Sequence, residues 1–316
     1  METLLPLALR WMLPVLLAIA LAEFLWLMRR GPAPSWRESA ASGAIMLGQH
    51  VTGALTALAL GGFYLLCWEH RLATVDMHAW WSLPLLFLGT EFLYYWQHRC
   101  SHESRWFRAT HVTHHSPRHL NLSAAYRLSW TSGISGHGLF MVPLIVLGFP
   151  PAAVFGMLAA NLLYQFWLHT ELVPRLGVLE GILNTPANHR AHHAVNPRYL
   201  DRNYGGVLIV FDRLFGTWQP ELAQDPCRYG LVHQLESHNP LRIVFHEWLA
   251  MARDLRGART VREAAGYLFA APGWQPDGRG QTTAVLRAAL RQEPRLQAQG
   301  QHRGNWPRGE RARDAA

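Results

Sequence analysis

The sequence predicts an all-α fold: an integral membrane helical bundle whose cytoplasmic helical cap holds a histidine-rich dimetal site. Three features lead there. The chain has apolar runs long enough to cross a bilayer, arginines gathered in particular connecting segments, and histidines repeated at helical spacing just after the third run.

Leu4 to Met28 is apolar except for Arg10 and Glu23, enough to cross ~30 Å of hydrocarbon at ~1.5 Å per residue. A cleaved signal peptide is the competing reading, but the run is too long for a signal core and ends in Met28-Arg29-Arg30 instead of small residues. Ala41 to Trp68 has no formal charge, and Ala79 to Gln97 has only Glu91. Ile134 to Leu147 and Ala152 to Leu168 flank the turn Gly148-Phe149-Pro150-Pro151, which predicts a helical hairpin with a short first arm. Residues 169–255 mix aromatic and charged side chains, as a folded cap does. From about Gly273 the composition turns to Gly, Gln, Arg and Pro, with too little apolar surface to offset chain entropy. The expected organisation is therefore membrane helices over 1–78, a catalytic domain over 79–255 and an extension over 256–316. That extension is largely disordered from about 273, with at most a transient helix at Thr282 to Gln292.

The 29 basic residues are all arginine and the net charge is +8. Arg29, Arg30 and Arg37 lie between the first two runs, Arg71 between the second and third, and Arg99, Arg105, Arg108, Arg118 and Arg127 after the third. By the positive-inside rule the N-terminus lies outside and every histidine cluster faces the cytoplasm. The expected location is a bacterial inner membrane. Cys67, Cys100 and Cys227 have neither metal nor redox spacing. No phosphate loop, cysteine quartet or flavin- or haem-carrying domain is visible, so electrons must come from an external donor. No nucleic-acid partner is expected, and the oligomeric state is left open.

His98 and His102 are one helical turn apart; His111, His114 and His115 share one helix face, and His189, His192 and His193 repeat that spacing. A lone histidine in an apolar helix is more often a hydrogen-bonded core residue, but three clusters on one side of the membrane point to metal. They exceed the ligands of one tetrahedral ion, so two ions are the simplest reading. Imidazole alone does not choose the metal. The segment His102-Glu103-Ser104-Arg105-Trp106 lacks the second histidine of a hydrolytic zinc helix, whereas a redox pair of irons open to dioxygen suits oxidation of a lipid. A non-enzymatic metal carrier would spread its ligands along a path through the bilayer, and these gather at one end.

Glu91 precedes His98 and His102 on nearly the same face. A carboxylate inside a membrane segment is costly, and its expected job is to accept the ring N–H of a ligating histidine; the competing reading is a neutral acid bonded to a neighbouring helix. Glu103 and Asp201 are candidates for the same role, and Glu91 and Glu103 are the catalytic candidates. His50, His70, His78, His119 and His302 read as surface residues, and His137 as core or substrate channel. His233, His238 and His246 read as cap residues.

The blocks YYWQHRCSHE, HVTHHSPRHLNLS and NTPANHRAHHAVNPRYLDRNYGGVLIVFDRLFGTW resemble the signatures of the fatty acid hydroxylase and sterol desaturase superfamily of membrane diiron oxygenases. NLSAAYR, WLHTE and PCRYGLVHQLESHNPLRIVFHEW look most like its alkylglycerol monooxygenase branch and bacterial members. The resemblance implies two Fe ions held by His98, His102, His111, His114, His115, His189, His192 and His193, with His169 as a further ligand. Gln165 stands where many members carry another histidine, so water or its amide oxygen is a candidate there. Asn188 stands where the branch often has histidine, leaving His189 as ligand. The implied chemistry is oxygen insertion into a C–H bond of an ether, fatty-acyl or sterol-like lipid, with desaturation on the same site as the alternative. The implied reductant is tetrahydropterin or an electron-transfer protein.

Overall fold

The structure is a computed structural model that describes residues 4–30 and 34–298. Its order begins with α1 (Leu4–Arg30), α2 (Trp36–Glu69), α3 (Ser82–Glu103) and α4 (Arg105–His115). Then follow α5 (Ser132–Ser135), α6 (Val142–Leu147), α7 (Pro151–Phe166), α8 (Pro186–His193) and α9 (Val210–Leu214). α10 (Pro240–Gly257), α11 (Val261–Phe269) and α12 (Thr283–Ala298) complete it. The described residues form no sheet, only isolated bridges such as Leu183 with Leu208.

Among the described residues, two helices are long and apolar enough to cross a membrane: α1 from Trp11 onward, and α2. Ser35 caps α2 by accepting the Glu38 N–H, and its 34 residues reach about 51 Å, beyond the hydrocarbon thickness. The third run is different. α3 exposes Leu83, Leu85, Leu88 and Phe92 while burying Thr90, Glu91, Tyr94, Tyr95, His98 and His102, so one face packs against protein. Tyr94 and Leu86 of α3, Tyr64 of α2, and Met141, Leu144, Ile145 and Val154 form a common core.

The expected first arm of the hairpin is broken into α5, a 3-10 turn at His137–Met141 and α6. Gly136 sits at φ +79°, a left-handed conformation that ends α5 and that glycine adopts at least cost. The second arm, α7, is continuous, starting at Pro151 in the first helical turn, where its missing N–H costs nothing.

α4 follows α3 after the single extended residue Ser104, which turns the chain and faces the histidines of both helices inward. Arg105 ties this corner to α10 through Glu247 at 2.8 Å and Asp254 at 2.7 Å. Thr185 caps the fully buried α8. Thr260 caps α11 by accepting the Glu263 N–H, and the Glu263 carboxylate accepts the N–H of Arg259, the residue before the cap. Residues 273–282 are mostly irregular with a turn at 276–277, and α12 (Thr283–Ala298) overlaps the helix expected at Thr282 to Gln292. Composition does not report how this helix docks, because its contacts come from elsewhere in the chain. Leu286 is buried, and Arg287 reaches the carbonyls of Leu200 and Asp201. Residues 299–316, expected to be disordered, and His302 lie outside the described residues.

Candidate metal centre

Four elements bring nine imidazoles together. The end of α3 supplies His98 and His102, α4 supplies His111, His114 and His115, the turn after α7 supplies His169, and α8 supplies His189, His192 and His193. They form two groups. One holds His98, His102, His111, His115 and His192, the other His114, His169, His189 and His193, and within each group the possible ligand atoms lie within 4.8 Å of one another. The groups adjoin, since His115 and His193 stack with centroids 4.4 Å apart.

The contacts between rings are not ordinary hydrogen bonds. Nε2 of His189 lies 3.0 Å from Nε2 of both His169 and His193, and Nε2 of His111 lies 2.9 Å from that of His98 and 3.1 Å from that of His115. A ring nitrogen carries one proton or one lone pair, so each can satisfy one such partner and not two. Backbone carbonyls sharpen the conflict. Nδ1–H of His98 donates to Tyr204 O, that of His192 to Arg202 O and that of His169 to Gln165 O, each at 2.8 Å, which leaves lone pairs on their Nε2 atoms. Nε2 of His102 and His192 is buried without any partner. A cation in each group resolves this, because lone pairs that repel one another can share it. The Nε2···Nε2 spacings of 2.9–3.1 Å are short enough for neighbouring rings to share one ion.

Burial favours the neutral rings that such binding needs. It pushes His98 and His169 down to about 4 and the remaining seven well below the ordinary histidine value, helped by neighbouring rings.

The acids are placed differently from expectation. Glu91 touches no histidine. Its Oε2 accepts the N–H groups of Val207 at 2.9 Å and Leu208 at 2.7 Å, and its Oε1 accepts the Asn161 amide. The loop 205–208 returns from far along the chain with unpaired donors and takes the carboxylate first. Glu103 does not reach a ring either: it is partly exposed, pairs with Arg99 at 3.0 Å and accepts the Tyr204 hydroxyl at 3.3 Å. The carboxylate facing a candidate ligand is Asp201, whose Oδ1 lies 3.5 Å from His102 Nδ1; Arg108 lies 3.3 Å from the same nitrogen. The Gln165 amide is also occupied, donating to Asn161 at 2.6 Å and accepting from Tyr94 at 3.0 Å, so its carbonyl, not its side chain, serves the site. Asn188 is a tie, donating to the carbonyls of Glu180 and Leu183. His137 is a core residue held between Ser101 and Ser135.

Asp212 was not among the sequence candidates. Fully buried, it accepts the N–H groups of Tyr204 and Gly205 and the Thr217 hydroxyl at 2.6–2.8 Å, and so fixes the carbonyl that orients His98. Burial raises its pKa to about 6 against the pull of these bonds. The signal was available: it is the one acid in the apolar block GGVLIVFD. Gly206 lets this loop pass the Asn161 side chain, which any Cβ there would overlap.

Residues 83–217, which contain all nine imidazoles, match the family model described as Fatty acid hydroxylase. That stretch is similar to a fatty acid hydroxylase domain. The chain is also 40% identical over 214 residues to alkylglycerol monooxygenase of Homo sapiens, covering 67% of this chain and 47% of that protein. It is 32% identical over 224 residues to the enzyme of the same name from Caenorhabditis elegans, covering 67% and 44%. Ornithine lipid hydroxylase OlsE of Rhizobium tropici is 30% identical over 117 residues, 37% of this chain and 35% of that protein. The chain spans about half the length of the alkylglycerol monooxygenases it matches. No solved structure matches it.

Proposed function

We propose that the chain is a membrane-bound non-haem diiron oxygenase that hydroxylates a C–H bond of a lipid with dioxygen. One observation carries this reading: two adjoining groups of imidazoles, all buried but the half-buried His111, whose ring nitrogens converge within a stretch matched to the fatty acid hydroxylase family. The stoichiometry is R–H + O2 + two electrons + two protons giving R–OH + H2O, with the electrons from an external donor, a tetrahydropterin or an electron-transfer protein. Two iron ions, when bound, supply the dioxygen activation. The chain's own residues hold and orient. His98, His102, His111, His115 and His192 would hold one ion, and His114, His169, His189 and His193 the other. The carbonyls of Tyr204, Arg202 and Gln165 keep the protons on Nδ1, and burial keeps bulk water away from the reacting bond. Residues 1–78 anchor the enzyme, 79–255 carry the chemistry, and the arginine distribution favours a cytoplasmic centre at a bacterial inner membrane. The names of the relatives denote oxygen insertion, which favours hydroxylation over desaturation for an ether, fatty-acyl or sterol-like substrate.

The test is metal analysis of detergent-purified protein from iron-sufficient medium, with oxygen uptake after reduction in the presence and absence of mixed lipid. The expected result is about two irons per chain, uptake that depends on lipid, and a product heavier by one oxygen atom. Stoichiometric zinc without oxygen uptake would overturn the reading, and a product lighter by two hydrogens would replace hydroxylation with desaturation.

A further inference from the structure

A cleft of about 410 Å³ opens between α1 and the turn that follows α7, within the size range of pockets that hold small ligands. Its walls are apolar: Ile19, Ala22 and Trp26 on α1, and Leu122, Trp167 and Val173 opposite. Ile19 and Trp26 are exposed on a helix long and apolar enough to cross the membrane, so the cleft is continuous with the surface that lipid chains cover. Glu23 and Thr170, both buried, supply its polar end. The Glu23 carboxylate accepts the Leu122 N–H at 2.6 Å and contacts the Thr170 hydroxyl. Thr170 is joined directly to His169, a candidate ligand of the second metal group. The lining contains this one carboxylate and no basic side chain.

We propose that this cleft is the port by which the aliphatic chain of the substrate lipid leaves the bilayer, and that Glu23 with Thr170 selects a hydroxyl-bearing polar end over a phosphate. The proposal rests on the reading of the domain as a lipid hydroxylase and adds where and how the lipid is chosen. A carboxylate in a membrane helix is costly and is kept where it does a job. Each Glu23 oxygen already accepts one protein donor, the Leu122 N–H on Oε2 and the Thr170 hydroxyl on Oε1, and Thr170 Oγ1 accepts the Leu172 N–H. The second lone pair of each carboxylate oxygen is what a lipid hydroxyl can use, and the same oxygens repel an anion. The apolar walls supply affinity without regard to chain identity, so discrimination falls to the polar end.

The test uses the full chain in nanodiscs containing a monoacylglycerol with a diazirine in its chain, photolysed and mapped by mass spectrometry. Adducts are expected in segments 19–26 and 167–173. Unlabelled monoacylglycerol should compete about tenfold better than the phosphomonoester of the same lipid. Ala22→Trp and Val173→Trp plug the cleft from opposite walls and should each cut labelling about tenfold with bound metal unchanged. Glu23→Gln should erase the discrimination against phosphate while chain labelling persists. Adducts spread over the exposed faces of α1 and α2 and indifferent to both plugs, or equal competition by the phosphate, would overturn the proposal. Labelling needs no turnover, so the two readings fail separately. Cleft adducts without oxidised product sink the hydroxylase and leave the port, and product without cleft adducts does the reverse.

Discussion

Replacing Glu91 with alanine is expected to destabilise the protein on a scale that separates two roles for this residue. Its carboxylate accepts from Val207 N, Leu208 N and the Asn161 amide, and alanine leaves three donors in or near the core without an acceptor. At ~1–2 kcal/mol for each partly or fully buried donor, the loss is ~3–6 kcal/mol, a large share of a stability of ~5–15 kcal/mol, and the melting temperature should fall on the order of 10 °C. Glu91→Gln should cost far less. Its amide oxygen can take both backbone N–H groups, and the amide that then faces Asn161 is accommodated if Asn161 and Gln165 turn over and the Tyr94 hydroxyl reverses its bond to Gln165. The assay is thermal unfolding in detergent with metal content measured on the same samples. A carboxylate that accepted a ligand ring N–H would give the opposite pattern: the glutamine variant would melt normally and lose metal affinity by about 10- to 100-fold. That result, or an alanine variant with the melting temperature of the parent, would refute the role assigned to Glu91.

Four further outcomes are expected. His114→Ala should lose lipid oxidation by at least about 100-fold while still inserting into membranes; retained activity would break the site as drawn. Stripping metal with a chelator should lower the melting temperature, because converging lone pairs repel without a cation, and re-adding iron at ~100 times its dissociation constant should restore ~2.7 kcal/mol; a melt indifferent to metal would contradict the geometry. Asp201→Asn should weaken one ion of the two by about 10- to 100-fold, seen as stepwise loss under chelator titration. Asp212, held at about 6 against an ordinary 3.8, keeps its proton more readily folded than unfolded. Its contribution is therefore full below about 3.8 and lost as pH rises through about 6, up to ~3 kcal/mol. The stability of the parent relative to Asp212→Asn should accordingly grow as pH falls through that window, and a constant difference would count against it.

Sequence spacing exposed the parts of this molecule that repeat locally. His111, His114 and His115 share a face because helix geometry places i, i+3 and i+4 together, and α4 and α8 place them so. The apolar runs behind α1 and α2 are equally local signals. The first hairpin arm was legible in principle, since Gly133, Gly136, Gly138 and Pro143 punctuate it, but its apolar composition masked them. The target of Glu91 was not legible. Val207 and Leu208 lie more than a hundred residues away, and a shared helix face with His98 says nothing of the loop that arrives between them. α3 carries the same ambiguity, because an apolar run with one polar face reads alike whether the polar face meets protein or lines a membrane cavity. The docking of α12 depends on carbonyls freed at Leu200 and Asp201, where φ is +51° at Asp201, a backbone state that no composition reports.

The same long-range contacts explain why the centre needs four elements. α4 alone would present three imidazoles to water, where each would titrate near its ordinary value and a cation would compete with protons. Burial between α3, α8 and the turn after α7 drives them well below it, so near neutral pH little proton release accompanies metal binding. Burying neutral rings with facing lone pairs is itself unfavourable, and the chain offsets part of that with Nδ1–H bonds to the carbonyls of Tyr204, Arg202 and Gln165. Those carbonyls are anchored in turn: Tyr204 by Asp212, and Gln165 by the Tyr94–Gln165–Asn161 relay that ends on Glu91. A substitution at Glu91 or Asp212 therefore reaches the metal groups by moving a backbone oxygen, and its mark on metal content should follow its mark on stability, whereas a lost ligand such as His114 should separate the two.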